Sequence, residues 1–219
     1  MNSIVLFSAI FLLTFSGSCL AILDAFSSSL DGSNGGYSLP KSVNNYELHD
    51  SCLIELRKQM NLEKHASLVY KQMAFHFGSV KVVRPGFAKI FEHHSNEEHE
   101  HSNKFIKYID LRGATIDSFN ITMPQKTSWT RVLEAVEDAI DLEHYVTNEI
   151  IRIHRIAEKT CKDIHLMNFL ENDFIDEQIS SINKLMKLAT LLRSIGNDGY
   201  GEYLIDRDFF NGKLSLDEL

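Results

Sequence analysis

The placement of helix breakers limits this chain more than any other feature. Prolines stand only at Pro40, Pro85 and Pro124, and no glycine lies between Gly113 and Gly196. Glycine and proline punctuate the backbone, so long stretches free of both favour long helices. Within those stretches apolar residues recur at three-and-four spacing, the pattern of a helix with one buried face. The spacing predicts helices over about 48–77, 84–112, 127–160 and 164–194, and a short fifth near 200–209. Gly78 and Gly113 suit helix C-terminal ends, and Pro85 suits a first turn.

The connections set the topology. Short links make the first and second helices, and the third and fourth, antiparallel neighbours. The second and third are joined by GATIDSFNITMPQK, Gly113 to Lys126. Extended, that stretch reaches roughly 46–50 Å, more than the second helix at about 43 Å. The link can therefore run the length of the bundle and set the third helix parallel to the second. The expected fold class is all-α, a four-helix bundle with one long crossover and a short C-terminal fifth helix.

A chain with 44% hydrophobic and 24% charged residues suits one domain with a substantial core over 46–210, followed by a tail over 211–219. The net charge of -8 argues against nucleic acid as a partner and suits cations. The uncharged run from Ile4 to Phe15 is too short to span a bilayer comfortably, and small residues follow it up to Ala21. Residues 1–21 therefore read as a signal peptide and residues 22–45 as a flexible extension, so the expected location is the secretory pathway, secreted or in the ER/Golgi lumen. The C-terminal Leu216-Asp-Glu-Leu219 lacks the lysine of an ER retention signal. In that compartment Asn120-Ile-Thr122 is a usable glycosylation motif, and Cys52 and Cys161 can pair, within or between chains.

Every expected helix carries one polar break in its apolar line. The first has Glu63, the second Glu98 and His101, the third Glu143 and the fourth Gln178. Counting along the helices puts all four breaks near one level, roughly 21–24 Å from the end where the second and third helices begin. Buried carboxylates repel one another and each loses several kcal/mol of hydration, roughly, unless cations compensate. Three glutamates and a histidine suit iron or manganese and accept zinc. Tyr70, about two turns beyond Glu63, and Gln178 are placed to orient ligands. Within HHSNEEHEH (His93 to His101), Glu98 and His101 face inward, whereas His93, His94 and His99 read as solvated or packing residues.

NLEKHASLVY (Asn61 to Tyr70), NEEHEH (Asn96 to His101), DLE (Asp141 to Glu143) and FIDEQ (Phe174 to Gln178) resemble, in order and spacing, the motifs of ferritin of the catalytic heavy-chain type. The resemblance covers nearly all of 46–210. It implies that Glu63, Glu98 and His101 hold one iron, that Glu63 bridges to a second iron also held by Glu143, and that Tyr70 and Gln178 support them. It also implies a shell of about two dozen subunits around a ferric mineral, with dioxygen as oxidant. Glu97 and Glu100 match inner-surface positions that assist nucleation. His154 and Glu171 match an entry channel whose usual aspartate is here Asn168, which weakens the channel as a cation funnel. The signal peptide resembles secreted insect-type ferritins, whose shells combine heavy-type and light-type chains. The bundle topology puts Cys52 and Cys161 at one end, where they can meet within one chain. Rival classes are a di-iron oxygenase or bacterioferritin-like protein, disfavoured by the lack of a second Glu-x-x-His, a non-catalytic secreted bundle, and a light-type subunit, in which several of the four ligands would be replaced.

Overall fold

A computed structural model describes residues 46–219. The expected signal peptide over 1–21 and extension over 22–45 lie outside the described residues. The elements are α1 (Asp50–Gly78), α2 (Pro85–Leu111), α3 (Val132–Ile156), α4 (Ile164–Leu170), α5 (Asp176–Ser194) and α6 (Gly199–Phe210). Single π turns, Ala157–Cys161 and Glu171–Ile175, follow α3 and α4, and a short 3-10 turn spans Leu216–Glu218. There is no strand among the described residues. No helix among them is long and apolar enough to cross a membrane.

Four rods form the bundle: α1, α2, α3, and α4 continued through its π turn into α5. Gly113, at φ +75°, ends α2 in the left-handed region, and Ala114 N–H donates back to the Ile109 carbonyl at 3.1 Å. The crossover then climbs along α1. Arg57 donates to the Thr115 carbonyl, His65 meets that of Thr122, Gln72 that of Thr127 and His76 that of Trp129. Partners advance together along both segments, so the link runs from the start of α1 to its end and α3 begins beside the start of α2.

Two departures from the expected helices have local causes. The third helix starts at Val132 rather than near 127, because the peptide at Trp129 is drawn to His76 and the indole donates to Asp138 at 2.6 Å. Trp129 is still buried, but as a wedge ahead of the helix. In the fourth rod the buried residues up to the start of α5 are Leu166, Leu170, Phe174 and Gln178, with Met167 only half-buried. Each four-residue step overshoots an α-helical turn by about 40°, a drift that the wider π turn takes up. The irregularity keeps Gln178 facing inward.

The bundle's ends are closed differently. At the α2 start, α6 lies so close that a Cβ on Gly86 would come within 1.9 Å of the Asp206 carbonyl, and Asp206 accepts from Phe87 N–H at 3.0 Å. At the other end Cys52 and Cys161 form a disulfide within the chain, as the topology allows. Beside it Arg112 pairs with Asp163 at 2.6 Å. Between these ends lie two apolar clusters, one including Phe77, Phe87, Phe91 and Leu185, the other Leu56, Phe105, Ile150 and Phe174.

Candidate metal centre

The five residues expected in the polar layer, Glu63, Glu98, His101, Glu143 and Gln178, and the expected orienting residue Tyr70 are all at most 4% exposed. Glu63, Glu98 and His101 each present a ligand atom within 4.8 Å of the others. They come from neighbouring turns of α1 and α2, with the i, i+3 spacing stacking His101 on Glu98. Glu143 stands outside that trio. Its two oxygens accept from the Tyr70 hydroxyl at 2.5 Å and from Gln178 Nε2 at 2.8 Å.

The electrostatics are those of a site that a cation would stabilise. Glu63 Oε1 accepts from Gln59 Nε2 at 2.8 Å, but Oε2 is buried with no donor. Burial, reinforced by the charge of Glu98, pushes the Glu63 carboxyl well above its usual range. The Glu98 carboxyl is likewise pushed well up, by burial and then by Glu143. Burial and the Glu143 charge keep the Tyr70 phenol protonated. A cation would supply what the two carboxylates lack, and two oxygens with an imidazole nitrogen form a donor set for iron, manganese or zinc.

Three residues of the site had not been expected. Gln59, one turn before Glu63 on the same buried line, holds one oxygen of that carboxylate. Thr147, one turn after Glu143, donates to the Glu143 carbonyl and accepts from Gln178 Nε2 at 3.3 Å. Glu177, half-exposed beside Gln178, reaches across to α2, its Oε1 lying 3.1 Å from His101 Nε2. The opposite face of the ring, Nδ1, is 3.2 Å from Glu98 Oε2. Burial alone would lower the His101 pKa, but the Glu177 hydrogen bond overrides it and raises it, while the same bond takes Glu177 down to about 2. A carboxylate behind a ligand imidazole fixes its orientation. His94, expected to pack or face solvent, does pack. It is 4% exposed and stacks on Tyr70 with ring centroids 5.0 Å apart, yet its Nε2 is buried without a partner. The signal for Gln59 and Thr147 was their four-residue spacing from the glutamates. Glu177 carried none, because it lies off the buried line.

The remaining expected residues fall into separate places. Glu97 is half-buried, its carboxylate 3.2 Å from both His93 and His94; burial would raise its pKa, and the hydrogen bond to His94 overrides that and lowers it. Glu100 is exposed. His154 meets Glu171 at 2.6 Å, and Asn168 is exposed one turn before Glu171. Asn120 is exposed in the crossover, with its backbone N–H on Asn61 Oδ1.

A family model described as "Ferritin-like domain" matches residues 54–195. The chain is 36% identical over 165 residues to "Ferritin-1 heavy chain" of Schistosoma mansoni, spanning 75% of this chain and 94% of the relative. It is 38% identical over 163 residues to a ferritin of Pacifastacus leniusculus (74% and 89%), and 37% identical over 164 residues to "Ferritin heavy chain" of Echinococcus granulosus (75% and 94%). With a family model covering more than half of its length and relatives matched nearly end to end, the chain belongs to the ferritin family.

Proposed function

We propose that this chain is the iron-oxidising subunit of an iron-storage shell, with Fe(II) as substrate of the polar layer. The carrying observation is the buried trio Glu63, Glu98 and His101, in which Glu63 Oε2 has no donor. One Fe(II) takes oxygens of Glu63 and Glu98 and a nitrogen of His101, and a second shares Glu63 and takes Glu143. Each gives up one electron and dioxygen accepts both, which is the advantage of holding two metals together. Iron binding opposes the upward push that burial gives the Glu63 and Glu98 carboxyls, because a cation favours their ionised form. Glu177 holds the His101 ring, and Tyr70 and Gln178 hold Glu143. An amide at Gln178, where a second Glu/His pair would bind tightly, lets the oxidised ion leave for the ferric mineral core.

Several features support the wider setting. All four of Glu63, Glu98, His101 and Glu143 are present, which favours a heavy-type over a light-type, non-catalytic subunit. The shell contains about two dozen subunits, some of them light-type chains. His154, Asn168 and Glu171 line its entry channel, and Glu97 and Glu100 assist nucleation. The leader over 1–21 directs the chain into the secretory pathway, where Asn120 is glycosylated; the Cys52–Cys161 disulfide suits that oxidising compartment. Calorimetric titration of the assembled protein with Fe(II) under nitrogen tests the site. About two ions bind per chain, and about one in Glu143→Ala. A single ion in the wild type would overturn the two-iron assignment.

A further inference from the structure

The buried centre communicates with the outside through a cavity of about 480 Å³ between α2 and α5. Glu98, His101 and Gln178 form its inner end, and residues 214–217 of the C-terminal tail form part of its lining at the other. His94, Glu97 and Glu177 line the stretch between, so imidazole and carboxylate groups accompany the whole path. His94 Nε2, buried with no partner, leaves one of those groups unsatisfied.

The tail has a defined seat. After α6 the chain reverses at Gly212, φ +68°, where Lys213 and Leu214 N–H both donate to the Asp208 carbonyl. Ser215 and Glu218 then cap the short 3-10 turn reciprocally. Leu214, Leu216 and Leu219 pack, only partly buried, against the apolar cluster. Lys184 of α5 pairs with Asp217 at 2.5 Å, though the Asp217 side chain is 78% exposed. Partly buried leucines and one exposed ion pair make a grip that local opening can release without disturbing the bundle.

We propose that residues 213–219 are a lid over the exit from the metal centre, and that its opening, opposed by the Lys184–Asp217 pair and the three leucines, sets how fast ions leave. The proposal rests on the function proposed above only in requiring that the centre binds cations. Product release through a moving segment commonly limits turnover when the site itself is buried.

The test is release of Zn(II) from the assembled, loaded protein into excess chelator, in the wild type, in a chain ending at Gly212, and in Asp217→Lys, which sets two cations against each other. Both variants bind the same amount of Zn(II) and release it at least about threefold faster. Added salt speeds release from the wild type and leaves the shortened chain unchanged, because an exposed ion pair is screened. Equal rates in all three proteins, with normal loading, would overturn the lid and leave the metal centre standing. Zn(II) loading unaffected by Glu98→Ala with His101→Ala would overturn the centre and the lid together. Asp217→Lys keeps every residue that packs, so its result counts even if the shortened chain assembles poorly.

Discussion

The polar layer and the two apolar clusters on either side of it are built from the same four rods at the same helical spacing, yet they answer to opposite demands. The clusters are closed by ring packing, with Phe77 and Phe91 centroids 5.4 Å apart in one and Phe105 and Phe174 4.4 Å apart in the other. Their stability needs nothing further. The layer instead places Glu63, Glu98 and Glu143 where each is at most 2% exposed. Hydrogen bonds satisfy Glu143, whereas burial, reinforced by the Glu98 charge at Glu63 and by the Glu143 charge at Glu98, pushes both of those carboxyls well above the usual range. The clusters thus hold the layer in place, and the layer's buried carboxylates weaken the metal-free bundle.

Substitutions in the clusters and in the layer separate the two demands. The largest expected effect on stability comes from a cluster. Phe91→Ala removes a fully buried ring and costs about 3–5 kcal/mol in chemical denaturation of the metal-free protein. Its residual oxidation, measured below the new midpoint, stays close to wild type.

Next comes the covalent closure beside the second cluster. Cys52→Ser with Cys161→Ser opens a link between residues 109 positions apart and lowers stability by about 2–4 kcal/mol, read as a lower denaturation midpoint that reductant does not lower further.

The smallest effect has the opposite sign. Glu63→Gln stabilises the metal-free protein by about 1 kcal/mol or more, since it removes a carboxyl that burial disfavours as an anion. The gain depends on pH. The folded chain keeps the Glu63 proton above the ordinary carboxyl value while the unfolded chain releases it, so wild-type stability falls as pH rises from that value toward the raised one. The advantage of the glutamine grows over the same window and vanishes below it. Zn(II) reverses the order at neutral pH, because only the glutamate gains a strong ligand. A destabilised glutamine variant without metal would contradict the contrast.

Periodicity exposed much of this in advance, for a physical reason. A helix repeats every 3.6 residues, so Glu63, Glu98, His101, Glu143 and Gln178 stood out as polar interruptions of apolar lines, and the length of the Gly113–Lys126 link set the parallel pairing. Periodicity reports only which residues face inward. It does not reveal that Glu177, off the line, spans to His101, nor that a π turn follows α4 and lets Leu166, Leu170, Phe174 and Gln178 share one buried side. Periodicity also misses that Trp129 precedes the third helix, because His76 and Asp138 hold it from 53 and 9 positions away.

The role proposed for the inward layer is the oxidation of iron. The direct measurement is the rate of Fe(III) formation after mixing the assembled protein with Fe(II) in air, beside Glu98→Ala with His101→Ala. The expected result is a fast wild type and a double variant that folds and assembles but oxidises at least about a hundredfold more slowly. Equal rates in two assembled proteins would contradict it, placing oxidation elsewhere and leaving the layer a structural or storage feature.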